Sequence, residues 1–266
     1  MKIIVTIKQV PEADRVAVNP KTGTLIREGV ESILNPFCEY ALDMAVKLKE
    51  ENLDLNVEII AISMGPPQAK SALIRCLELG ADEAYLFSDK AFAGSDVWAT
   101  SITLKEGILK MIGDFDLILA GKQAIDGDTA QVPAELAENL GIPHIYYGFD
   151  LKIVKKRIHV KRETEKGYQV IEARLPTLVT ISKGPSSIRR LPSMRDIVEA
   201  RKKPIATIDA KSLNLNEKRI GLNGSFTQVI KIFSPPIKEV GVIIDGNKPI
   251  NAAEKLFGFL KEKKII

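Results

Sequence analysis

The stretch from Leu119 to Gly141, LAGKQAIDGDTAQVPAELAENLG, decides the fold, and the rest of the chain is organised around it. An apolar run at 115–120 predicts a buried parallel strand that ends where this stretch begins. Asp128 and Thr129 are residue types that favour a helix N-cap, Pro133 suits a first helical turn, and Gly141 suits a helix end. We therefore predict a strand, a glycine-containing loop at 121–128 and a helix from about residue 129.

A strand, a turn and a helix N-terminus in this order are typical of an anion site. The first helical amides have no helical partner, and the helix dipole favours negative charge. We therefore expect a nucleotide diphosphate on the amides of 128–131, although the loop is neither a Walker A sequence nor GxGxxG. Asp126 and Asp128 must then turn away, cap the helix, meet a cation or accept from ribose hydroxyls. A plain Asp-Gly turn with an N-cap explains the same residues, so both interpretations stay open here.

Composition excludes several classes of protein. The chain has 266 residues, is 45% hydrophobic and has no apolar run of membrane-spanning length, which indicates a soluble globular protein. A net charge of +4 with 6% aromatic residues does not favour a nucleic-acid binder. Two cysteines and two histidines predict neither a disulfide framework nor a metal site, and they fit a reducing cytoplasm. The first ten residues run directly into a strand and do not resemble a signal peptide.

Strands and helices alternate along the first half of the chain, which predicts an α/β fold with a parallel sheet and right-handed crossovers. Strands are expected at 2–8, 57–63, 80–87, 115–120, 144–151 and 178–181, a hairpin turn at 165–167, and helices from 36, at 68–79, 95–111, 129–140, 194–202 and 250–262. Residues 10–35 form an excursion with a small hairpin at 21–23. Residues 204–248 are polar and rich in turns, so we expect no independent core there.

Ligands of such sheets bind beyond the carboxyl ends of the strands, near the switch in strand order. Four loops meet there: those after Val5, after Ile62, before Asp96 and after Ala120. The first loop brings Thr6 and Lys8 to this edge, and the second brings Met64. Asn35 suits an N-cap, with Pro36 at the first helical position, and this helix start also faces the edge.

The string GKQAIDGDTAQ resembles the nucleotide-binding signature of the electron-transfer flavoprotein β subunit. Three further strings match that family in its order: IIVTIKQVPEAD from residue 3, NPFCEYALDMAV from residue 35 and RRLPSM from residue 189. Together they cover most of the first 200 residues. The resemblance implies a Rossmann-like, adenine nucleotide α-hydrolase-like three-layer domain at 1–203, with a recognition loop at 183–203. It also implies a C-terminal partner-binding arm and helix, 204–266, that pack on an α subunit.

The resemblance and the sheet edge together give the expected cofactor-binding residues. They are Thr6, Lys8, Asn35, Pro36, Phe37, Cys38, Met64, Gly121, Lys122, Gln123, Ala124, Ile125, Asp126, Gly127, Asp128, Thr129, Ala130, Gln131, Val132 and Pro133. In the recognition loop Leu191 matches the family's central leucine. Arg190 and Pro192 beside it suit the rim of a small hydrophobic anchor that docks redox partners.

Two cofactors are compatible with the resemblance. Ordinary members hold AMP in the β subunit, whereas the electron-bifurcating members hold a second FAD there. Gly127 replaces an acidic residue of ordinary members, and AGSDVWATS at 93–101 has no match in them, so FAD is favoured over AMP. Ser95 or Asp96 would cap the helix that starts there, so that its free N-terminus could face a ribityl chain or flavin ring. Thr100 and Ser101 add hydroxyls in its first turns, and these four residues complete the expected cofactor-binding set. The plain alternative is a capped helix that packs on the sheet through the stripe Val97, Ser101, Leu104, Ile108 and Met111.

One position departs from the bifurcating pattern. Pro133-Ala134 stands where those members usually carry Gly-Pro, which alters the first turn of the helix and the detailed phosphate contacts. Trp98 lies off the apolar stripe of its helix, and we expect it to pack rather than to stack on a flavin.

The function that the resemblance implies is that of a redox subunit in an NADH-dependent complex. FAD would accept a hydride from NADH and send one electron to ferredoxin or flavodoxin. The other electron would pass through the α-subunit FAD to a quinone or enoyl-CoA system. Iron–sulfur and quinone-oxidoreductase subunits are further expected partners. The expected location is the cytoplasm, and the chain would reach a membrane only through such partner subunits. No catalytic side chain is identified. The alternatives are an ordinary electron carrier with structural AMP and a nucleotide-sensing module without redox work.

Overall fold

The computed structural model describes residues 1–12, 17–18, 25–26, 32–185, 190–230 and 241–266. The strands are β1 (Lys2–Ile7), β2 (Gln9–Pro11), β3 (Ala17–Val18), β4 (Leu25–Ile26), β5 (Ser32–Leu34), β6 (Glu58–Met64), β7 (Glu83–Phe87), β8 (Leu117–Gly121), β9 (His144–Val154), β10 (Arg157–Thr164), β11 (Gly167–Arg174), β12 (Thr177–Ile181) and β13 (Ala206–Ile208). The helices are α1 (Pro36–Glu51), α2 (Lys70–Glu78), α3 (Val97–Gly107), α4 (Val132–Leu140), α5 (Met194–Lys202), α6 (Gly221–Gly224) and α7 (Pro249–Glu262).

A nine-stranded sheet forms the centre of the fold, in the order β11-β10-β9-β12-β8-β1-β6-β7-β13. β10 pairs antiparallel with both of its neighbours, and all the other pairs are parallel. Strand order switches at β1, because the chain builds β6 and β7 on one side of it and then returns to place β8 on the other. The predicted α/β fold and parallel sheet are confirmed.

Helices cover both faces of this sheet, which gives three layers. Ile3 and Val5 of β1 pack in the cluster that includes residues of α1, α2 and α5. Ile4 points to the opposite cluster, where α3 and α4 pack. This alternation follows from the two-residue period of a strand, and because both faces are covered the central strands read as continuous apolar runs.

The excursion between β1 and α1 contains two short strand pairs. β2 pairs with β5, and β3 pairs with β4. The pairing of β3 with β4 agrees with the expected hairpin, whose turn at 21–23 lies outside the described residues.

Residues 206–225, which the sequence assigned to the C-terminal arm, lie on the sheet domain. β13 pairs with β7 as a further parallel strand, and the side chains of Leu213 and Ile220 are buried in the α3–α4 layer. The compact unit accordingly runs from Met1 to Ile232, beyond the boundary expected after Lys203. A second unit, Phe233–Ile266, contains α7, in which Ile250, Leu256 and Phe257 are exposed. That this helix packs on a partner subunit stays a prediction.

Candidate functional site

The carboxyl ends of β1 and β8 form the edge at which strand order switches. The two strands pair in parallel, with Thr6 beside Ala120 at this end. An open parallel sheet binds its ligands in the crevice outside such a switch point. The loop from Lys122 to Gln131, here called the β8–α4 loop, leaves the sheet at this place.

The start of α1 lies directly against the end of β8. A Cβ added to Gly121 would come within 2.6 Å of the Phe37 carbonyl carbon and 2.8 Å of the Cys38 nitrogen. Such distances are below those of real Cβ contacts, so the approach requires glycine at this position. Beside it, the Lys122 ammonium lies over the Phe37 ring, 4.7 Å from the ring centroid.

Asn35 joins α1 to the β8–α4 loop. Its side chain is fully buried, and Nδ2 donates to the Gln123 carbonyl at 2.9 Å and to Cys38 Sγ at 3.3 Å. Its Oδ1 accepts from the Ile125 amide at 3.3 Å. The predicted position of Asn35 before the helix is correct, with Pro36 in the first turn, but its side chain does not cap α1. It is used instead to hold the loop.

The acidic side chains of the loop bind to donors of the same chain. Asp126 accepts from the Lys8 ammonium at 2.7 Å, and Asp128 accepts from the side-chain amide of Gln123. The backbone of the loop closes a turn through the Asp128 amide, which donates to the Ala124 carbonyl at 2.9 Å. Asp126 therefore meets a cation, which is one of the ways in which these aspartates could tolerate a phosphate, and the Gln123 contact of Asp128 was not among the alternatives that the sequence suggested.

The helix after the loop starts later than the sequence suggested. α4 begins at Val132 with Gln131 in the N-cap position, so Asp128 and Thr129 do not cap it. The reason lies in the backbone: Asp128 and Ala130 have φ angles of +54° and +57°, in the left-handed region that interrupts a right-handed helix. No side-chain cap satisfies the first amides of α4, and Gly141 ends the helix as expected.

Gly127 differs from Gly121 in that nothing within the described chain requires glycine there. A Cβ at Gly127 would approach only the Lys8 ammonium, at 4.0 Å, and its φ is not in the left-handed region. Neither packing nor backbone conformation therefore explains the missing side chain. A ligand that lies against the backbone at this point would explain it.

The N-terminus of α3 is capped by Asp96, one of the two residues that the sequence suggested for this position. Its Oδ1 accepts from the Ala99 amide at 3.0 Å, while Oδ2 accepts from the amides of Phe226 and Thr227 at 2.8 and 2.9 Å. Burial raises the pKa of Asp96, but these hydrogen bonds outweigh burial and hold the pKa below its ordinary value. Both carboxylate oxygens are thus engaged by the chain itself.

The other hydroxyls expected near a flavin have different surroundings. Ser101 is fully buried, where its Oγ donates to the Trp98 carbonyl and accepts from the Asn139 side chain of α4. It therefore offers no surface to a ligand in this structure. Ser95 donates to the Phe92 carbonyl. Trp98 contacts the Phe226 ring at 5.7 Å between centroids, which agrees with the expected packing role.

Thr6 and Met64 lie at the ends of their strands, and Cys38 lies inside α1. Thr6 is half-buried at the end of β1, and Met64 ends β6 and packs against the α3–α4 layer. Cys38 and Cys76 are free and buried in α1 and α2. Burial raises the pKa of the Cys38 thiol, even though the Asn35 hydrogen bond lowers it.

Sequence reasoning missed Glu135, in the first turn of α4. One of its carboxylate oxygens is excluded from solvent and has no hydrogen-bond partner among the described residues. Burial raises the pKa of Glu135, and the charge of Asp96 raises it further. The signal in the sequence was an acidic residue directly before the buried pair Leu136 and Ala137.

In the recognition loop, Leu191 is 81% exposed. Arg190 pairs with Glu50 of α1 at 2.9 Å, and Ser193 forms a capping box with Asp196 at the start of α5. The predicted α5 is confirmed in both bounds. Residues 186–189 of the loop lie outside the described residues.

The described residues contain neither a metal site nor a membrane-spanning helix. None of their His, Cys, Asp or Glu side chains come together in groups of three or more that could hold a metal. None of their helices is long and apolar enough to cross a membrane. An open groove of about 690 Å³ lies at the β9–β10 turn, lined by Lys155, Arg157 and Glu172 among others, and it contains none of the expected cofactor residues.

Comparisons with known proteins identify the family to which this chain is similar. The family model described as "Electron transfer flavoprotein domain" matches residues 22–213. The chain is 48% identical over 266 residues to the "Caffeyl-CoA reductase-Etf complex subunit CarD" of Acetobacterium woodii, with 100% of each chain covered. It is 44% identical over 249 residues to the "Electron transfer flavoprotein subunit beta" of Megasphaera elsdenii, covering 92% of this chain and 91% of the relative. It is 39% identical over 272 residues to the "Acryloyl-CoA reductase electron transfer subunit gamma" of Anaerotignum propionicum, with 100% of each covered.

Proposed function

This chain belongs to the electron transfer flavoprotein family as a β subunit, and on that premise we propose that it binds FAD at the β8–α4 loop and takes part in electron bifurcation. The names of two relatives place them in reductase systems for caffeyl-CoA and acryloyl-CoA, which are both 2-enoyl thioesters. These names support an enoyl-CoA system as the high-potential acceptor, in preference to a quinone.

The observation that carries the choice of FAD over AMP is Gly127. Its Cβ position is open on the protein side, and no feature of the backbone requires glycine. An acidic side chain there would lie near Asp126 and Asp128, and a third carboxylate would repel a diphosphate more strongly than a single phosphate. A glycine leaves the backbone free for close contact with two phosphate groups.

The residues of the site fit a diphosphate. The amides of Val132 and Ala134 stand in the first turn of α4, where the helix dipole favours an anion. The Lys8 ammonium offsets the negative charge of Asp126, and the neutral Gln123 amide donates to the Asp128 carboxylate. Asn35 fixes the loop against α1 and limits the conformational freedom that binding would otherwise have to remove.

When bound, FAD supplies two-electron acceptance from NADH and one-electron transfer to ferredoxin or flavodoxin and to the α-subunit FAD. The chain itself would position the cofactor. We propose the α subunit as an obligate partner, with iron–sulfur or quinone-oxidoreductase subunits as further ones. We also propose a cytoplasmic location, with contact to a membrane only through such subunits.

Cofactor analysis of the purified heterodimer tests this proposal. The chain is co-expressed with its α partner, and the released cofactors are separated and counted. Two FAD per heterodimer is the expected result. One FAD with one AMP would instead indicate an ordinary electron carrier, and a complex without flavin would indicate a nucleotide-sensing module.

A matched pair of variants links the result to the proposed site. Gly127→Asp is expected to lose the second FAD and keep the α-subunit FAD. Leu53→Asp places a carboxylate at an 80% exposed position beyond the C-terminal end of α1, and it should keep both. Equal retention of two FAD in both variants would contradict the role given to Gly127.

A further inference from the structure

The segment that leads out of the first compact unit is fastened to the start of α3. Asp96 accepts through Oδ2 from the amides of Phe226 and Thr227 at 2.8 and 2.9 Å, and from the Thr227 hydroxyl at 3.1 Å. In return, the Ser225 hydroxyl oxygen accepts from the Asp96 amide at 2.8 Å. The rings of Trp98 and Phe226 lie beside these bonds, with 5.7 Å between their centroids. We call this set of contacts the α3 latch.

The backbone just before the latch is also held closely. The Leu222 amide donates to the Ala93 carbonyl at 3.1 Å. A Cβ added to Gly221 would meet the Ala91 carbonyl oxygen at 2.1 Å, and the φ angle of Gly221 is +57°. The approach of the two backbones therefore requires glycine at this position.

The latch lies where the chain is about to pass from one compact unit to the other. The first unit ends at Ile232, and the exposed apolar side chains of Val229 and Ile230 stand between the latch and this end. Exposed apolar side chains that lie close together are typical of a surface covered by a partner. Hydrogen bonds from two successive amides to one carboxylate are charge-assisted, and they fix the direction of the backbone. A segment that is already fixed costs less conformational entropy when a partner binds.

We propose that Asp96 is a positioning residue for the α subunit, because it fixes residues 225–227 and so orders the segment that follows for binding. This inference rests on the proposed function, in which the α subunit is the obligate partner. The Asp96 carboxylate has two separate uses. Oδ1 caps α3 through the Ala99 amide at 3.0 Å, whereas Oδ2 forms the latch.

Asp96→Ser separates these two uses. Serine is also a good N-cap residue, so the Ala99 amide keeps an acceptor, but serine has no second oxygen for the latch. Hydrogen exchange at single amides of the heterodimer is expected to become about 10-fold to 100-fold faster at Phe226 and Thr227, the range for a lost hydrogen bond to a charged group. Exchange at the Ala99 amide should stay within about twofold. The heterodimer dissociation constant, measured by analytical ultracentrifugation of a dilution series, should rise about 10-fold.

Two further variants support the assignment. Asp116→Asn is a matched control, because the Asp116 carboxylate accepts from the Lys2 amide at 2.8 Å at the amino ends of β1 and β8. It should leave exchange at the latch and the dissociation constant unchanged. Ser225→Ala removes the acceptor of the Asp96 amide, and it should change both quantities in the same direction as Asp96→Ser.

Two results would overturn the inference. One is unchanged exchange at Phe226 and Thr227 in Asp96→Ser. The other is faster exchange together with a wild-type dissociation constant, because the latch would then have no role in α-subunit binding. Failure of the proposed function gives a different result, namely a wild-type chain that forms no heterodimer with the α subunit, and the inference would fail with it.

Discussion

The Asn35 side chain donates to the backbone carbonyl of Gln123 at 2.9 Å, across 88 residues of sequence. This bond connects the residue before α1 to the β8–α4 loop. With the contact from the Ile125 amide, it fixes the β8–α4 loop from its inner side. The loop is therefore held in place by the chain itself.

Replacement of Asn35 tests this connection. Asn35→Ala leaves the carbonyl of Gln123 and the amide of Ile125 without their partner, so we expect the free energy of unfolding to fall by about 1–3 kcal/mol. Adenine nucleotide affinity should fall as well, because the loop loses its inner support. Urea unfolding and nucleotide titration measure the two effects. Asn52→Ala is the control, since the Asn52 amide bonds only to Leu48 at the other end of α1, and it should leave nucleotide affinity unchanged.

The same substitution should destabilise the protein at Gly121, the last residue of β8, and leave its stability almost unchanged at Gly127 in the β8–α4 loop. Gly121→Ala places a methyl group against the backbone of Phe37 and Cys38, so it should lower the free energy of unfolding by about 1–3 kcal/mol. Gly127→Ala meets open space and should change it by less than about 0.5 kcal/mol. FAD affinity should fall in Gly127→Ala. Equal stability losses in the two variants would contradict the close approach of α1 to β8.

His144 makes stability depend on pH. Burial lowers the pKa of His144 to about 4 in the folded protein, whereas an unfolded histidine titrates near 6.5. Between these values the unfolded chain binds more protons, so the free energy of unfolding should decrease as pH falls through this window. NMR titration of the ring protons measures the pKa, and His159→Gln assigns the two histidine signals. His144→Gln should remove this part of the pH dependence, and a His144 pKa near 6.5 would contradict the prediction.

The exposed Leu191 side chain should contribute to electron transfer with partner proteins and contribute little to the free energy of unfolding. Leu191→Ala is expected to lower the rate of electron transfer to a physiological acceptor about 10-fold, as for the central residue of a small interface. The free energy of unfolding should change by less than about 0.5 kcal/mol, because the side chain is 81% exposed. Leu53→Ala, at 80% exposure, is the matched control and should alter neither quantity. A similar rate loss in both variants would exclude a specific docking role.

The fold was predictable from the sequence where local periodicity and burial agree. The apolar runs of β1, β6 and β8 and the helical stripe of α1 are dictated by a sheet covered on both faces. β13 was missed because Ile208, Leu213 and Ile220 are far apart in a polar segment, and only packing on β7 and α3 gathers them. A pattern within one segment cannot reveal a hydrophobic core whose other side chains come from distant parts of the chain.

The sequence predicted at which edge of the sheet the candidate residues lie, but it predicted few of their contacts. Asp128 and Thr129 are good N-cap types, yet left-handed backbone at Asp128 and Ala130 moves the start of α4 to Val132. Asn35 was identified by type, but its use as a tie to Gln123 depends on the tertiary approach of α1 to the loop. The engagement of Asp96 by Phe226 and Thr227 likewise depends on residues 130 or more positions away.

The central claim is that backbone amides at the start of α4 hold the diphosphate of FAD. A structure of the cofactor-loaded heterodimer tests it most directly, through the distances from the phosphate oxygens to the amide nitrogens of Val132 and Ala134. We expect at least one of these distances to be about 2.7–3.2 Å, a hydrogen-bond length. A diphosphate bound elsewhere, with the first turn of α4 closed off by other chain, would contradict the claim.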